Sequence, residues 1–187
     1  MKGLHQEGML IDRLIRLQAH DDYTVTHSLN VCILVVAQAT RIGLPENKIR
    51  EAGLAALLHD VGKEATPSTI LTKPGQLDME EFDQVKRHPA DGAKLLRKVD
   101  CGTELPMIVA FEHHIKYDRT GYPKVRSGEP LHVASYMTQI ADVYDALRSY
   151  RPYQPSIELE RTLAIMNEGR GTEFEPHLFD SFTGILS

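Results

Sequence analysis

Imidazoles and carboxylates recur along this chain in a pattern that could hold metal: His27, the adjacent pair His59-Asp60, His88, the adjacent pair His113-His114, and Asp142. Successive members stand about thirty residues apart, the length of one helix and its connection, so a helical bundle could deliver one or two from each helix to a common centre. Imidazole and carboxylate without thiolate suit Fe, Mn or Zn. Seven such groups exceed what one four-coordinate ion takes, which favours two divalent ions bridged by a carboxylate. Each residue taken alone also has a plainer reading. His27 or His88 reads as an ordinary helix histidine, His113-His114 as a chance pair, and Asp142 as a solvated carboxylate on a face with Thr138 and Asp145. His59-Asp60-Val61-Gly62-Lys63 is the most specific local signal, because a carboxylate beside a helix C-terminus is disfavoured by the macrodipole and a bound cation would explain it.

The elements that must position these groups read as helices. Leu10, Ile11, Leu14, Ile15 and Leu17 recur at helical spacing, as do Val25, Leu29, Cys32, Ile33 and Val36. A third helix begins near Pro45 and runs to His59 and Asp60, with Gly62 marking its end. Lys63 to Leu77, holding Pro67, Pro74 and Gly75, has loop composition. Helical periodicity covers Met79 to Lys86, breaks at Pro89, and returns through Ala93, Leu96 and Val99. Glu104 to His114 is a further short helix, and Lys116 to Pro130 a second long loop. Val133, Tyr136, Met137, Ile140, Tyr144 and Leu147 form the strongest amphipathic stripe. Two more helices follow, one around Leu159, Leu163 and Met166 and one around Leu178, Phe182 and Ile185. No segment alternates apolar and polar residues long enough to read as a strand, so the expectation is an all-α, single-domain helical bundle.

Composition narrows the function classes. The 187 residues fit one domain, with residues 1–19 read as an N-terminal helix or linker and 20–187 as the domain proper. Lys plus Arg number 21 against 26 Asp plus Glu, for a formal charge of -5, and no basic stripe suits a nucleic-acid polymer. The longest apolar run, Val31 to Ala37, is far short of a membrane span, and the first ten residues carry no apolar block of a signal peptide. A cytoplasmic protein with no membrane partner is expected. Cys32 and Cys101 form no paired motif, and Cys32 reads as a small core residue.

The ordered set His59-Asp60-Val61-Gly62-Lys63, Lys73-Pro74-Gly75, His88-Pro89 with Gly92, His113-His114, Gly121-Tyr122-Pro123 and Ala141-Asp142-Val143-Tyr144-Asp145-Ala146-Leu147 resembles the signature of the HD-GYP domain. Arg151-Pro152-Tyr153 and Gly171-Thr172-Glu173-Phe174-Glu175-Pro176 fit it as well, and the resemblance covers about residues 20 to 185. It implies an HD-superfamily fold and a bacterial phosphodiesterase acting on cyclic di-GMP through two divalent ions, usually iron or manganese, which activate a water. By matching positions, His27, His59 and Asp142 would hold one ion, His88, His113 and His114 the other, and Asp60 would bridge them. Lys63 would contact a phosphate oxygen, supplying charge where negative charge develops. Arg151 would clamp a second phosphate, and Tyr122 would contact substrate. Asp145 reads either as an acceptor orienting a ligand histidine or as a solvated aspartate. His5, His20, His132 and His177 match no ligand position.

The chain departs from the family pattern at four places. Tyr23 stands where some members carry a third-metal Glu, Ile115 replaces the Glu after the histidine pair, Arg119 replaces a Gly after the loop Asp, and Gln154 replaces a basic residue. Two ions are therefore expected. Substrate readings are cyclic di-GMP, with cyclic GMP-AMP as the nearest substitute. A rival from another class is a low-activity cyclic-dinucleotide sensor or scaffold, with a protein partner at the Gly121-Tyr122-Pro123 loop or a homodimer. A sensory domain commonly precedes this family, and the sequence leaves a stand-alone or excised domain equally open.

Overall fold

A computed structural model describes residues 22–125, 128–149 and 156–186. The helix expected around Leu10–Leu17 and the residues Arg151 and Gln154 lie outside them. In chain order the helices are α1 (Asp22–Arg41), α2 (Glu46–Leu57), the 3-10 helix η1 (Val61–Ala65), α3 (Ser68–Leu71), α4 (Met79–Val85), α5 (His88–Leu96), α6 (Leu105–Glu112), α7 (Val133–Arg148), α8 (Leu159–Asn167) and α9 (Pro176–Leu186). Among the described residues, extended pairing amounts to two isolated bridges, Ile115 with Gly121 and Arg170 with Phe174. The fold is all-α, as the periodicity predicts.

The main core forms where α1, α2, α6, α7, α8 and α9 meet. It is built from small residues on α1 and α2 (Val31, Val35, Ala39, Ala52, Ala55, Ala56) facing larger ones on later elements (Met137, Ile140, Met166, Phe174, Phe179, Phe182). Alanines on α2 let it approach α1 closely, and interdigitation of small against large fills the space at native density. A second cluster of Leu58, Val61, Leu96 and Ala110 joins η1 to α5 and α6.

Several expected boundaries change for identifiable reasons. Pro89 starts a helix instead of breaking one, sitting in the first turn of α5, where its missing N–H leaves no bond unmade. The stretch after Asp60, read as loop, contains η1 and the short α3. Gly62 does not simply end a helix. A Cβ there would stand 2.0 Å from the His88 carbonyl oxygen and 2.5 Å from the Gly92 nitrogen, so its role is to let η1 lie backbone to backbone on α5. Cys32 is half-buried at the α1–α2 contact instead of lying in the core. The α7 stripe also proves too narrow. Residues Ala134 through Ala141 are all buried, including Thr138, because α7 runs through the middle of the bundle, while Val133 of the expected stripe is exposed.

Candidate metal centre

The site forms where helices end. α2 stops at Leu57, and the turn that follows turns His59 and Asp60 inward. α4 stops at Val85, just before His88 opens α5. α6 stops at Glu112, just before His113 and His114. In each case an imidazole bonds back to a carbonyl in the last turn of the preceding helix: His59 Nδ1 to Ala56 O at 2.6 Å, His88 Nδ1 to Val85 O at 2.7 Å, and His113 Nδ1 to Ala110 O at 3.0 Å. A carbonyl only accepts, so each Nδ1 carries the proton and each Nε2 presents a lone pair to the centre. His27, on α1, has the same arrangement with a carboxylate, its Nδ1 lying 2.6 Å from Asp145 Oδ2.

These lone pairs converge on Asp60. Its Oδ1 lies 3.2 Å from His88 Nε2 and 3.8 Å from His113 Nε2. Its Oδ2 lies 3.4 Å from His59 Nε2, 4.0 Å from His27 Nε2 and 2.5 Å from Lys63 Nζ. The donor atoms fall into two groups, each spanning no more than 4.8 Å: Asp60 with His88, His113 and His114, and Asp60 again with His27 and His59. Asp142 stands between them, 3.0 Å from His27 Nε2 and 3.9 Å from His114 Nδ1. All seven residues singled out from the sequence thus meet in one place, and Asp60 alone belongs to both groups.

The donor set fits cations. His88 Nε2 and His113 Nε2 face each other at 3.1 Å, and with both Nδ1 atoms protonated neither has a hydrogen to offer the other. His59 Nε2 and Asp60 Oδ1 are buried without a hydrogen-bond partner. Buried polar atoms left unpaired are costly, and a positive ion satisfies all of them at once.

Electrostatics agree. Burial keeps the His113 and His114 rings neutral, lowering His114 to about 3 and holding His113 well below the usual imidazole range. Burial opposes a charge on His27 too, yet its hydrogen bonds to Asp142 and Asp145 lift it to about 9. Burial alone would raise the Asp60 carboxyl, but Lys63 and the surrounding imidazoles hold it well below the usual carboxylate range. Asp142 stays ionised for a similar reason: His27 outweighs its burial.

Of the two readings open for Asp145, the structure shows the buried one. Asp145 is 5% exposed and its carboxylate accepts from His27, from Asn30 at 2.9 Å and from Ser149 at 3.0 Å. Asn30 was not singled out from the sequence, although its place three residues after His27 puts it on the same helix face. His132 caps α7, its Nδ1 accepting from the Ala134 N–H at 3.1 Å, and His177 is exposed. Tyr122 packs its ring against His114, tilted by 35° with ring centroids 4.6 Å apart, and burial raises its hydroxyl pKa. The two departures near that loop are absorbed locally. Ile115 is buried against Leu131 and Tyr136, and Arg119 adopts a φ of 69°, the left-handed backbone for which glycine is the easier residue, while its guanidinium donates to the Glu129 carbonyl. Tyr23 lies within α1.

Comparison with known proteins accords with this geometry. The family model described as HD domain matches residues 10–178. The chain is 43% identical over 171 residues to a cyclic di-GMP phosphodiesterase of Pseudomonas aeruginosa, covering 90% of this chain and 41% of that protein. It is 34% identical over 171 residues to 3'3'-cGAMP-specific phosphodiesterase 3 of Vibrio cholerae, covering 91% and 37% respectively. It therefore spans about two-fifths of the length of these curated relatives. Among solved structures, Bd1817, an HDG"Y"P protein from Bdellovibrio bacteriovorus, superposes with a TM-score of 0.71 at 19% identity, covering 87% of this chain and 52% of that one. The HD domain of the L. monocytogenes phosphodiesterase PgpH, in complex with cyclic-di-AMP, superposes with a TM-score of 0.67 at 19% identity, covering 94% and 93%. With its histidines and aspartates meeting in one centre and the family model matched over most of its length, the chain belongs to the HD domain family.

Proposed function

We propose that this domain is a metal-dependent phosphodiesterase that hydrolyses cyclic di-GMP to the linear dinucleotide or GMP in the bacterial cytoplasm. The observation that carries the reading is Asp60, buried and shared by two groups of imidazoles. Two divalent ions, iron or manganese, would be held by His27, His59 and Asp142 on one side and His88, His113 and His114 on the other, with Asp60 between. Such ions, when bound, provide a nucleophile from water at neutral pH and offset charge on phosphoryl oxygens.

The chain's own residues do the rest. Backbone carbonyls hold His59, His88 and His113 in the tautomer that ligates, and Asp145 orients His27, which has only to give up its second proton at loading. Lys63, 22% exposed, pairs with Asp60 from the open side and would meet a phosphate oxygen arriving there. Tyr122 covers His114 and shields that flank from water. Arg151 would hold the second phosphate.

Relatives named for cyclic di-GMP and for 3'3'-cGAMP are both well matched, so cyclic GMP-AMP is the second reading of the substrate. The test is anaerobic purification, loading with iron or manganese, and incubation with each dinucleotide alone and in competition. Cyclic di-GMP should be turned over in preference. No turnover of either with metal present would overturn the reading in favour of a sensor or scaffold.

A further inference from the structure

One apolar feature at the mouth of the metal centre has no part in the chemistry above. Phe82, on α4, is 46% exposed, and Met79, one turn earlier on the same helix, is 84% exposed. The Phe82 ring meets the Tyr122 ring edge to face at 6.5 Å, and Tyr122 in turn lies 6.3 Å from the His88 ring and 4.6 Å from the His114 ring. An aromatic path therefore leads from the ligand histidines out to an exposed phenylalanine. The helix carrying it is firmly placed. Asp78 and Glu81 form a reciprocal capping box at its start, and Lys73 grips Glu81 through both carboxylate oxygens, at 2.6 and 2.5 Å. Lys86 places its ammonium 4.9 Å from the Phe82 ring centroid, with Asp83 at 2.5 Å holding the lysine in turn.

A charged floor beside an apolar, aromatic wall matches one kind of molecule: an ester of phosphate that also carries a flat ring. The phosphate takes the ions and Lys63, and the ring needs a face to lie on. Base stacking on an exposed aromatic side chain is a general mode of recognition that depends little on base identity.

We propose that Phe82 is a substrate-binding residue, a platform on which one nucleobase stacks while its phosphate sits at the metal centre, with Tyr122 joining the two. The proposal rests on the phosphodiesterase reading for its setting but makes a separate claim, that affinity depends on the base. Manganese-loaded protein is titrated with guanosine 5'-monophosphate and with ribose 5-phosphate, which shares the phosphate and sugar but lacks the ring. The expected result is binding of the nucleotide about tenfold tighter or more, a preference that falls to about threefold or less in Phe82→Ala and is retained in Phe82→Trp. No preference in the unmodified protein overturns the proposal, as does a preference that survives in Phe82→Ala. Equal weakening of both ligands in Phe82→Ala also overturns it, since that result would mean the phenylalanine serves only to hold Tyr122. Cyclic di-GMP left uncleaved while the base preference persists would sink the phosphodiesterase reading and leave the stacking platform in place.

Discussion

At His27 two carboxylates meet one imidazole, and any proton between them has to leave before the ring can ligate. Without ions the ring holds its charge up to about pH 9, because Asp142 at 3.0 Å and Asp145 at 2.6 Å outweigh the cost of burying it. His113 and His114 are the opposite case, already neutral at pH 7 through burial. Loading should therefore release a proton from His27 and none from those two. Below about pH 9 the sign follows: affinity at the His27 side rises as pH rises, approaching tenfold per unit, and levels off above it. Calorimetric titration with manganese at pH 7.5, in two buffers of different ionisation heat, should read close to one proton released; a value near zero would show that His27 takes no part. The sequence showed which residues could ligate but not how their charge is set. That depends on His27 and Asn30 of α1 sharing the Asp145 carboxylate of α7, a meeting between positions more than a hundred residues apart.

Between η1 and α5 the packing is backbone on backbone, and this contact brings Asp60 to within 3.2 Å of His88. Gly62→Ala is the sharpest test of it, because the added methyl meets the His88 carbonyl oxygen at 2.0 Å and a main chain cannot yield as a flexible side chain would. The expected cost is about 1–3 kcal/mol of stability, read by urea unfolding, together with a fall in bound metal measured by elemental analysis. Unchanged metal content would show that the two helices need not touch for the site to form. At this scale the sequence was legible in part. Long periodic helices such as α1 and α7 form over the expected residues, but α1 buries Val31, Val35 and Ala39 and leaves Leu29 and Ile33 of the expected stripe exposed, because the face that packs is set by the neighbouring helices. Pro89 and Gly62 were misread because both can end a helix, and only a neighbouring element decides whether a proline starts the next one or a glycine makes room for it.

For the molecule as a whole, the orphaned His59 Nε2 and Asp60 Oδ1 mean that the ion-free fold buries polar atoms at a loss. Ions that bind only the folded chain should stabilise it by mass action, about 2.7 kcal/mol at a hundred times the dissociation constant, which for a domain of this size raises Tm by roughly 5–10 °C. A thermal melt with manganese against one with chelator checks this, and coincident curves would argue against a cation at the centre. The all-α architecture and the convergence of the seven groups could be read from the sequence because the five positions that carry them, two of them adjacent pairs, stand about one helix and its connection apart, so a bundle returns them to one end. The aromatic lip of Phe82 and Tyr122 could not, since α4 and the loop after α6 meet only in three dimensions. The imidazole-to-carbonyl bonds at the ends of α2, α4 and α6 carry a practical lesson for anyone dissecting the centre. Each of these histidines closes off a helix with one nitrogen and faces Asp60 with the other, so an alanine scan confounds two losses and will report weakened folding as lost metal binding. Asp60→Asn leaves those three closures intact and is the cleaner control.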